Sequence, residues 1–287
     1  MAIYMWREWP DYLCFTANTA NTVIVLYKSA SPTSIELETS TDLNTWNTYI
    51  ADNDAITLTN IWDKVYIRNK SETPTGFSTS SSNYYYFYSS WSVAVSWDVN
   101  TLLCKNSTDT LTSNYCFYRL FYQCPITTAP KLPATTLTNY CYYYMFGWCT
   151  SLITPPELPA TILAEACYAL MFDNCTALTT VPELPATMLA DSCYIGMFTS
   201  CIALTSLPKL PAITLVISCY REMFSMCNQI KLSVSQNWIY QTPYRIPTEW
   251  TWTTAGYALY SMFSSTWWTF TWTPTINTTY YTSNQVI

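Results

Sequence analysis

Cys193-Tyr-Ile-Gly-Met-Phe-Thr-Ser-Cys201 recurs, nearly unchanged, along the second half of a 287-residue chain. Its siblings are Cys141-Tyr-Tyr-Tyr-Met-Phe-Gly-Trp-Cys149, Cys167-Tyr-Ala-Leu-Met-Phe-Asp-Asn-Cys175 and Cys219-Tyr-Arg-Glu-Met-Phe-Ser-Met-Cys227. Their first cysteines are 26 apart (167−141, 193−167, 219−193), and a fifth copy, Cys116-Phe-Tyr-Arg-Leu-Phe-Tyr-Gln-Cys124, precedes by 25 (141−116). Three copies run on through a Leu/Thr-rich stretch into Pro156–Thr161, Pro182–Thr187 or Pro208–Ile213, each of the form Pro-x-Leu-Pro-Ala. A unit this small cannot bury its own apolar face, whereas stacked units can.

Within one unit the spacing predicts a short helix followed by a strand. Thr187 is placed to cap the helix; Leu189, Cys193, Met197 and Cys201 recur every fourth residue, and Phe198 widens that stripe. Leu204–Leu207 alternates like a half-buried strand that Pro208 stops. The expected fold is therefore an α/β repeat, a leucine-rich-repeat-like solenoid over residues 106–232, with an N-terminal all-β sandwich-like module over 1–70. Strands are expected at Val23–Tyr27, Ser34–Glu38, Ala55–Thr59 and Lys64–Arg68, between Ser, Asp, Asn and Pro clusters. Residues 71–105 read as a Ser/Thr-rich linker and N-terminal cap strands. Residues 233–287, Thr-rich and without the cysteine spacing, read as a C-terminal cap.

The pattern Met-Phe-x-x-Cys-Thr-x-Leu-Thr followed by Pro-Glu-Leu-Pro-Ala-Thr, seen in Met171–Thr179 and Pro182–Thr187, resembles the BspA-like leucine-rich-repeat surface proteins of gut bacteria and their phages. The likeness covers roughly residues 105–232, and the flanks around Asp11–Thr16 and Tyr240–Pro247 are similar to modules that accompany such repeats. It implies surface display and adhesion to a protein or cell-surface glycan of a host or neighbouring cell, and it carries over no catalytic residue. The first ten residues have no apolar core of a signal peptide. That tilts the expected location from the bacterial cell surface toward the virion surface.

Composition excludes several chemistries. The chain has no His, so it has no imidazole base, no Ser-His or Cys-His nucleophile pair and no His metal ligand. Its four glycines form no phosphate loop or dinucleotide fingerprint, so no cofactor is expected. A net charge of −6 with 12 dispersed Lys and Arg argues against nucleic acid. No apolar run reaches the roughly 18 residues of a membrane span. Oligomeric state is not legible.

The repeat cysteines, Cys116, Cys124, Cys141, Cys149, Cys167, Cys175, Cys193, Cys201, Cys219 and Cys227, are open to three readings. Two cysteines eight apart on a helix sit about 12 Å from each other, too far for a disulfide within a unit. A zinc site would need a Cys-x-x-Cys pair, and none exists. Buried free thiols packing as small hydrophobes are the expected state. Glu157 and Glu183 share one repeat position, which reads as a solvated acidic edge more readily than as a catalytic pair. Enzyme activity is not expected. The aromatics carry the sharpest functional idea: Tyr142, Tyr143 and Tyr144, with Tyr84–Tyr88 and the C-terminal tryptophans, could form a platform for sugar rings. Tyr142, Tyr168, Tyr194 and Tyr220, at one repeat position, are the exception, since such a stripe is more often core.

Tryptophan is the anomaly. Average usage gives a chain of this length roughly 20 glycines, yet it has 4 Gly and 13 Trp. Trp148 takes a turn position that favours Gly or Asn. Trp250, Trp252, Trp267, Trp268 and Trp272 crowd Thr-rich segments with few apolar neighbours. Written as Gly, these segments read as ordinary turns. The expectation is an alternative genetic code in which UGA is decoded as Gly at Trp62, Trp91, Trp97, Trp148, Trp238, Trp250, Trp252, Trp267, Trp268 and Trp272. Trp46 reads as a true tryptophan.

Overall fold

The computed structural model describes residues 12–29, 35–74, 77–105, 109–111, 113–247, 255–266 and 273–287. The N-terminal strands are β1 (Leu13–Ala17), β2 (Thr22–Lys28), β3 (Leu37–Ser40), β4 (Asn47–Tyr49), β5 (Ile56–Leu58), β6 (Lys64–Asn69), β7 (Tyr85–Ser89) and β8 (Val93–Ser96). β1 is central in a six-stranded sheet of order β4-β3-β6-β1-β8-β9, where β9 (Ile126–Thr128) comes from the first repeat; β5-β2-β7 form a second sheet. Alternation decides the packing. Leu13, Phe15 and Ala17 of β1 share one core with Ile24, Leu26 and Phe87, while Cys14 points the other way and packs with Tyr12 and Tyr66 under Trp46 and Trp97. β7 and β8 pair along β2 and β1, so the sheets run past residue 70 and take in strands read as a lead-in to the repeats.

The repeats do not form the α/β leucine-rich-repeat-like solenoid that their spacing suggests. Among the described residues there is no α-helix; the single helical element is a one-turn 3₁₀ helix, Val99–Leu102, and the strands lie in several small sheets. Each expected helix is instead a chain of tight turns. In the second copy Tyr140, Tyr144 and Trp148 have φ of 57°, 57° and 61°, left-handed values that no α-helix contains. The odd-numbered N–H groups bond three residues back: Tyr143 to Tyr140, Met145 to Tyr142, Gly147 to Tyr144 and Cys149 to Phe146. The even-numbered ones reach the next copy: Tyr142 to Cys167, Tyr144 to Ala169, Phe146 to Met171 and Trp148 to Asp173. Every N–H of the segment thus has a partner, half of them outside their own unit. A ribbon with a left-handed residue every fourth position presents i, i+4 and i+8 on one face, as a helix does over eight residues. Periodicity therefore could not separate the two.

Stacking these ribbons aligns identical residues. Cys, Tyr, Met, Phe and Cys of each full copy are at most 1% exposed. Phe121, Phe146, Phe172, Phe198 and Phe224 form one file with ring centroids 5.5–5.6 Å apart, and Tyr142, Tyr168, Tyr194 and Tyr220 form another at 5.7–5.8 Å. Phe87 of β7 stacks on Phe121 at 5.6 Å, so the core of the sheets continues into the column. Leu158, Leu184 and Leu210 of the Pro-x-Leu-Pro-Ala segments close its other side.

The region read as a C-terminal cap contains a sixth copy. Tyr220 and Phe224 donate to the carbonyls of Ala258 and Met262, and Phe263 stacks on Phe224 at 5.5 Å. Ala258 thus takes the place of Cys219, 39 residues on (258−219), one period plus a 13-residue insertion (39−26). Thr266 holds the place of the second cysteine and donates its hydroxyl to the Phe263 carbonyl at 2.7 Å. The remainder supplies β11 (Leu232–Ser233), β12 (Thr242–Arg245), β13 (Thr279–Thr282) and β14 (Gln285–Val286), the last paired in parallel with β10 (Ser206–Leu207).

The suspect tryptophans divide. Trp62, Trp97 and Trp148 have φ of 72°, 69° and 61°. Among the described residues outside the repeats the other positive-φ positions are Asn21, Leu43, Asp52 and Asn277, mostly residue types that tolerate this region. Trp62, Trp91 and Trp238 are mainly exposed, Trp238 to 83%. Trp97 differs, stacking on Tyr66 at 5.3 Å. Trp46 packs edge-on against Tyr12 at 5.0 Å and beneath Arg68 at 3.6 Å, as a true tryptophan would. Trp250, Trp252, Trp267, Trp268 and Trp272 lie outside the described residues. We expect Trp62→Gly to raise stability by about 1 kcal/mol in urea denaturation, because glycine relieves the left-handed strain. An intact mass of the native protein lighter by the indole difference at the recoded positions decides the code; the full written mass would end the recoding idea.

Candidate functional site

Because residues turn inward in adjacent pairs, Cys141-Tyr142 and then Met145-Phe146, the positions between those pairs project from the column. In the first two copies those outward positions are aromatic. Tyr115 stacks on Tyr140 (centroids 4.8 Å, planes 3° apart), Tyr118 on Tyr143 (5.2 Å, 10°) and Tyr122 on Tyr144 (5.0 Å, 26°). The 25-residue offset that joins the two copies joins the first two pairs. The third pair depends on Gly147, where a Cβ would come within 3.2–3.3 Å of both rings. Tyr118 also meets Tyr84 edge-on at 5.2 Å, and from there Tyr86, Tyr27 and Tyr88 continue the run across β7 and β2, each 5.6–6.0 Å from the next. Ten tyrosines thus make one continuous wall over the junction of sheets and column, with Tyr88 (46% exposed) at one end and Trp148 (44%) at the other. The run stops where the third copy offers Ala166, Ala169 and Leu170 in place of Tyr140, Tyr143 and Tyr144.

Arg119 sits at the centre. Its guanidinium carbon lies 5.1–6.0 Å from the rings of Tyr84, Tyr118, Tyr122 and Tyr144, a collar suited to cation–π attraction. At the far end of the column Arg221 lies over Tyr260 at 5.6 Å, but is paired with Glu222 at 3.1 Å. Arg119 has no such ion pair among the described residues.

Hydrogen bonds fix the rim. The Tyr140 hydroxyl donates to Glu165 at 2.7 Å, which pushes the Tyr140 phenol up to about 12. The Tyr144 hydroxyl donates to Asp173 at 2.7 Å and accepts from the Trp148 indole N–H at 3.3 Å. Burial, then this bond to a carboxylate, holds the Tyr144 phenol well above its ordinary value; burial raises the Asp173 carboxyl. These phenols stay neutral donors at physiological pH.

Of the residues the sequence singled out, Tyr143 and Tyr144 belong to the wall, while Tyr142 lies wholly inside, between Phe117 and Tyr168. Tyr85 and Phe87 also face inward, and Tyr84, Tyr86 and Tyr88 outward. Tyr115, Tyr118, Tyr122, Tyr140 and Arg119 were missed, although the 25-residue echo of Tyr115 in Tyr140 and of Tyr118 in Tyr143 was there to be read. All 12 cysteines are buried and unbridged. Cys149, Cys175, Cys201 and Cys227 donate S–H to the carbonyls of Phe121, Phe146, Phe172 and Phe198 in the preceding copy, at 2.9–3.1 Å. Glu157 and Glu183 share an open, proline-lined groove of about 590 Å³. Among the described residues no helix is long and apolar enough to cross a membrane.

Comparison of the chain with family models, with curated proteins and with solved structures finds no match in any of the three. The resemblance to BspA-like proteins therefore stands on the repeat motif alone.

Proposed function

We propose that the chain is a non-enzymatic recognition protein, displayed on a virion or bacterial cell surface, that adheres to its partner through the tyrosine wall. One observation carries the reading. The outward repeat positions that hold Tyr140, Tyr143 and Tyr144 hold Ala166, Ala169 and Leu170 one copy later, and the column stacks equally well there. Folding does not require the rings, and rigid amphipathic tyrosines around an arginine are the residue types that dominate binding surfaces. The second reading is that the partner is a glycan. It is favoured by the stacked ring faces, flat apolar surfaces bordered by the Glu165 and Asp173 carboxylates, which suit the apolar face and the hydroxyls of a sugar.

The test is binding of purified protein to mucin-coated and bacterial-cell surfaces. Replacing both Tyr140 and Tyr143 by Ala is expected to weaken binding by about tenfold or more, since each truncation removes a rigid aromatic contact. Ile153→Ala, at an exposed site elsewhere on the column, is expected to change nothing. Equal binding by the double variant and the wild type would remove the wall from the mechanism.

A further inference from the structure

Resting on the glycan reading above, we propose that Arg119 is the anchor for a carboxylate-bearing sugar, held in its guanidinium fork while neighbouring sugar rings lie on the tyrosines. Three observations converge. Arg119 is charged and has no carboxylate of its own, whereas Arg221 is paired with Glu222. Its Nε is buried with no hydrogen-bond partner, and its guanidinium has a side-chain hydrogen bond with Tyr84, so its bonding within the chain involves no anion. The four rings around it withdraw the guanidinium from water while leaving Arg119 partly exposed. In such a partly desolvated setting a bidentate bond to a planar carboxylate is strengthened, and Arg suits it better than Lys because its fork matches two oxygens at once.

The charge of the whole protein narrows the ligand further. At −6 it repels polyanions, so nucleic acid and strongly acidic peptides are disfavoured. A single carboxylate on an otherwise uncharged saccharide meets one local cation and little opposing field. The aromatic rows on either side of Arg119 suit the flat apolar faces of the adjoining sugars. Asp173, whose carboxylate already accepts from Tyr144, closes the far rim and disfavours a second negative charge there.

The experiment is a glycan array carrying neutral oligosaccharides, their carboxylated counterparts, the methyl esters of those carboxylates, and sulfated chains. It is read with wild-type protein, Arg119→Lys and Arg119→Gln. Wild type should bind carboxylated chains about tenfold more tightly than their neutral or esterified forms, the size of one charge-assisted pair. Arg119→Gln should erase that preference while keeping residual binding to the neutral chains, and Arg119→Lys should keep part of it. The ester comparison uses only wild-type protein, so it holds even where a variant folds poorly. Equal binding of acid and ester, or a preference for sulfated chains alone, overturns the assignment of Arg119 and leaves the glycan reading in place. No binding to any chain overturns both. Binding to a protein-coated surface with an empty array returns the wall to the protein-partner reading.

Discussion

Raising the pH from 9 toward 11 is expected to unfold this protein cooperatively, with thiolate absorbance appearing as native structure is lost. The cause is the cysteine ladder. Burial pushes the Cys116, Cys124 and Cys167 thiols from an ordinary 9.0 up to about 12 and Cys219 up to about 11. The other six repeat thiols are raised in the same direction, by the same cause. Since the folded values lie above the unfolded one, the contribution to stability is complete below pH 9. It is lost as pH rises toward the folded values, because the unfolded chain gives up protons the folded chain retains. At pH 10 each thiol withholds about 1 kcal/mol of ionisation free energy. Ten thiols act in the same direction, against a domain stability of only about 5–15 kcal/mol. Tyr142, Tyr168, Tyr194 and Tyr220, also raised by burial, add to the same trend at higher pH. The check is a pH titration followed by circular dichroism and thiolate absorbance together. Thiols that ionise near pH 9 while the dichroism stays native would sink the argument.

Phe172→Ala is expected to cost about 3–5 kcal/mol, the range for truncating a fully buried Phe. Phe172 is 0% exposed and stacks on Phe146 at 5.6 Å and on Phe198 at 5.5 Å. Among the described residues Phe263 in the sixth copy has one such neighbour, Phe224, at 5.5 Å. Phe263→Ala should therefore cost less, by about the 0.5–1.5 kcal/mol of one aromatic pair. Denaturant midpoints of the two variants measure both quantities. Equal costs at the two sites would show that the stacked rings do not couple along the column.

The resemblance between what sequence suggested and what the chain builds is uneven for identifiable reasons. The inward residues were legible, because Cys141, Tyr142, Met145, Phe146 and Cys149 are spaced to bury on one face whether the backbone is helical or turned. Three N-terminal strands were legible too, and the expected Ser34–Glu38 meets the observed Leu37–Ser40 only at Leu37 and Glu38. Lys64–Arg68, for example, was read as a short strand bounded by turn-forming clusters and is observed as Lys64–Asn69. The sixth copy was hidden because Ala258, Leu259 and Thr266 replace its Cys, Tyr and Cys, leaving Met262-Phe263 as its trace. The wall was only half legible. Tyr143 and Tyr144 were marked, but Arg119 and Tyr118 acquire meaning only once β7 brings Tyr84 alongside.

The sequence by itself determined the period, the identity of the buried files and the absence of imidazole and phosphate-loop chemistry, since these follow from which residues recur and which are missing. Tertiary structure decided the backbone. A helix satisfies its N–H groups internally, whereas here Tyr142, Tyr144, Phe146 and Trp148 satisfy theirs on a neighbouring copy. That choice is made by stacking and leaves no mark in a local pattern. The same nonlocal step sets the wall, because Tyr27, Tyr84, Arg119 and Tyr144 are far apart in the chain and meet only where the sheets abut the column.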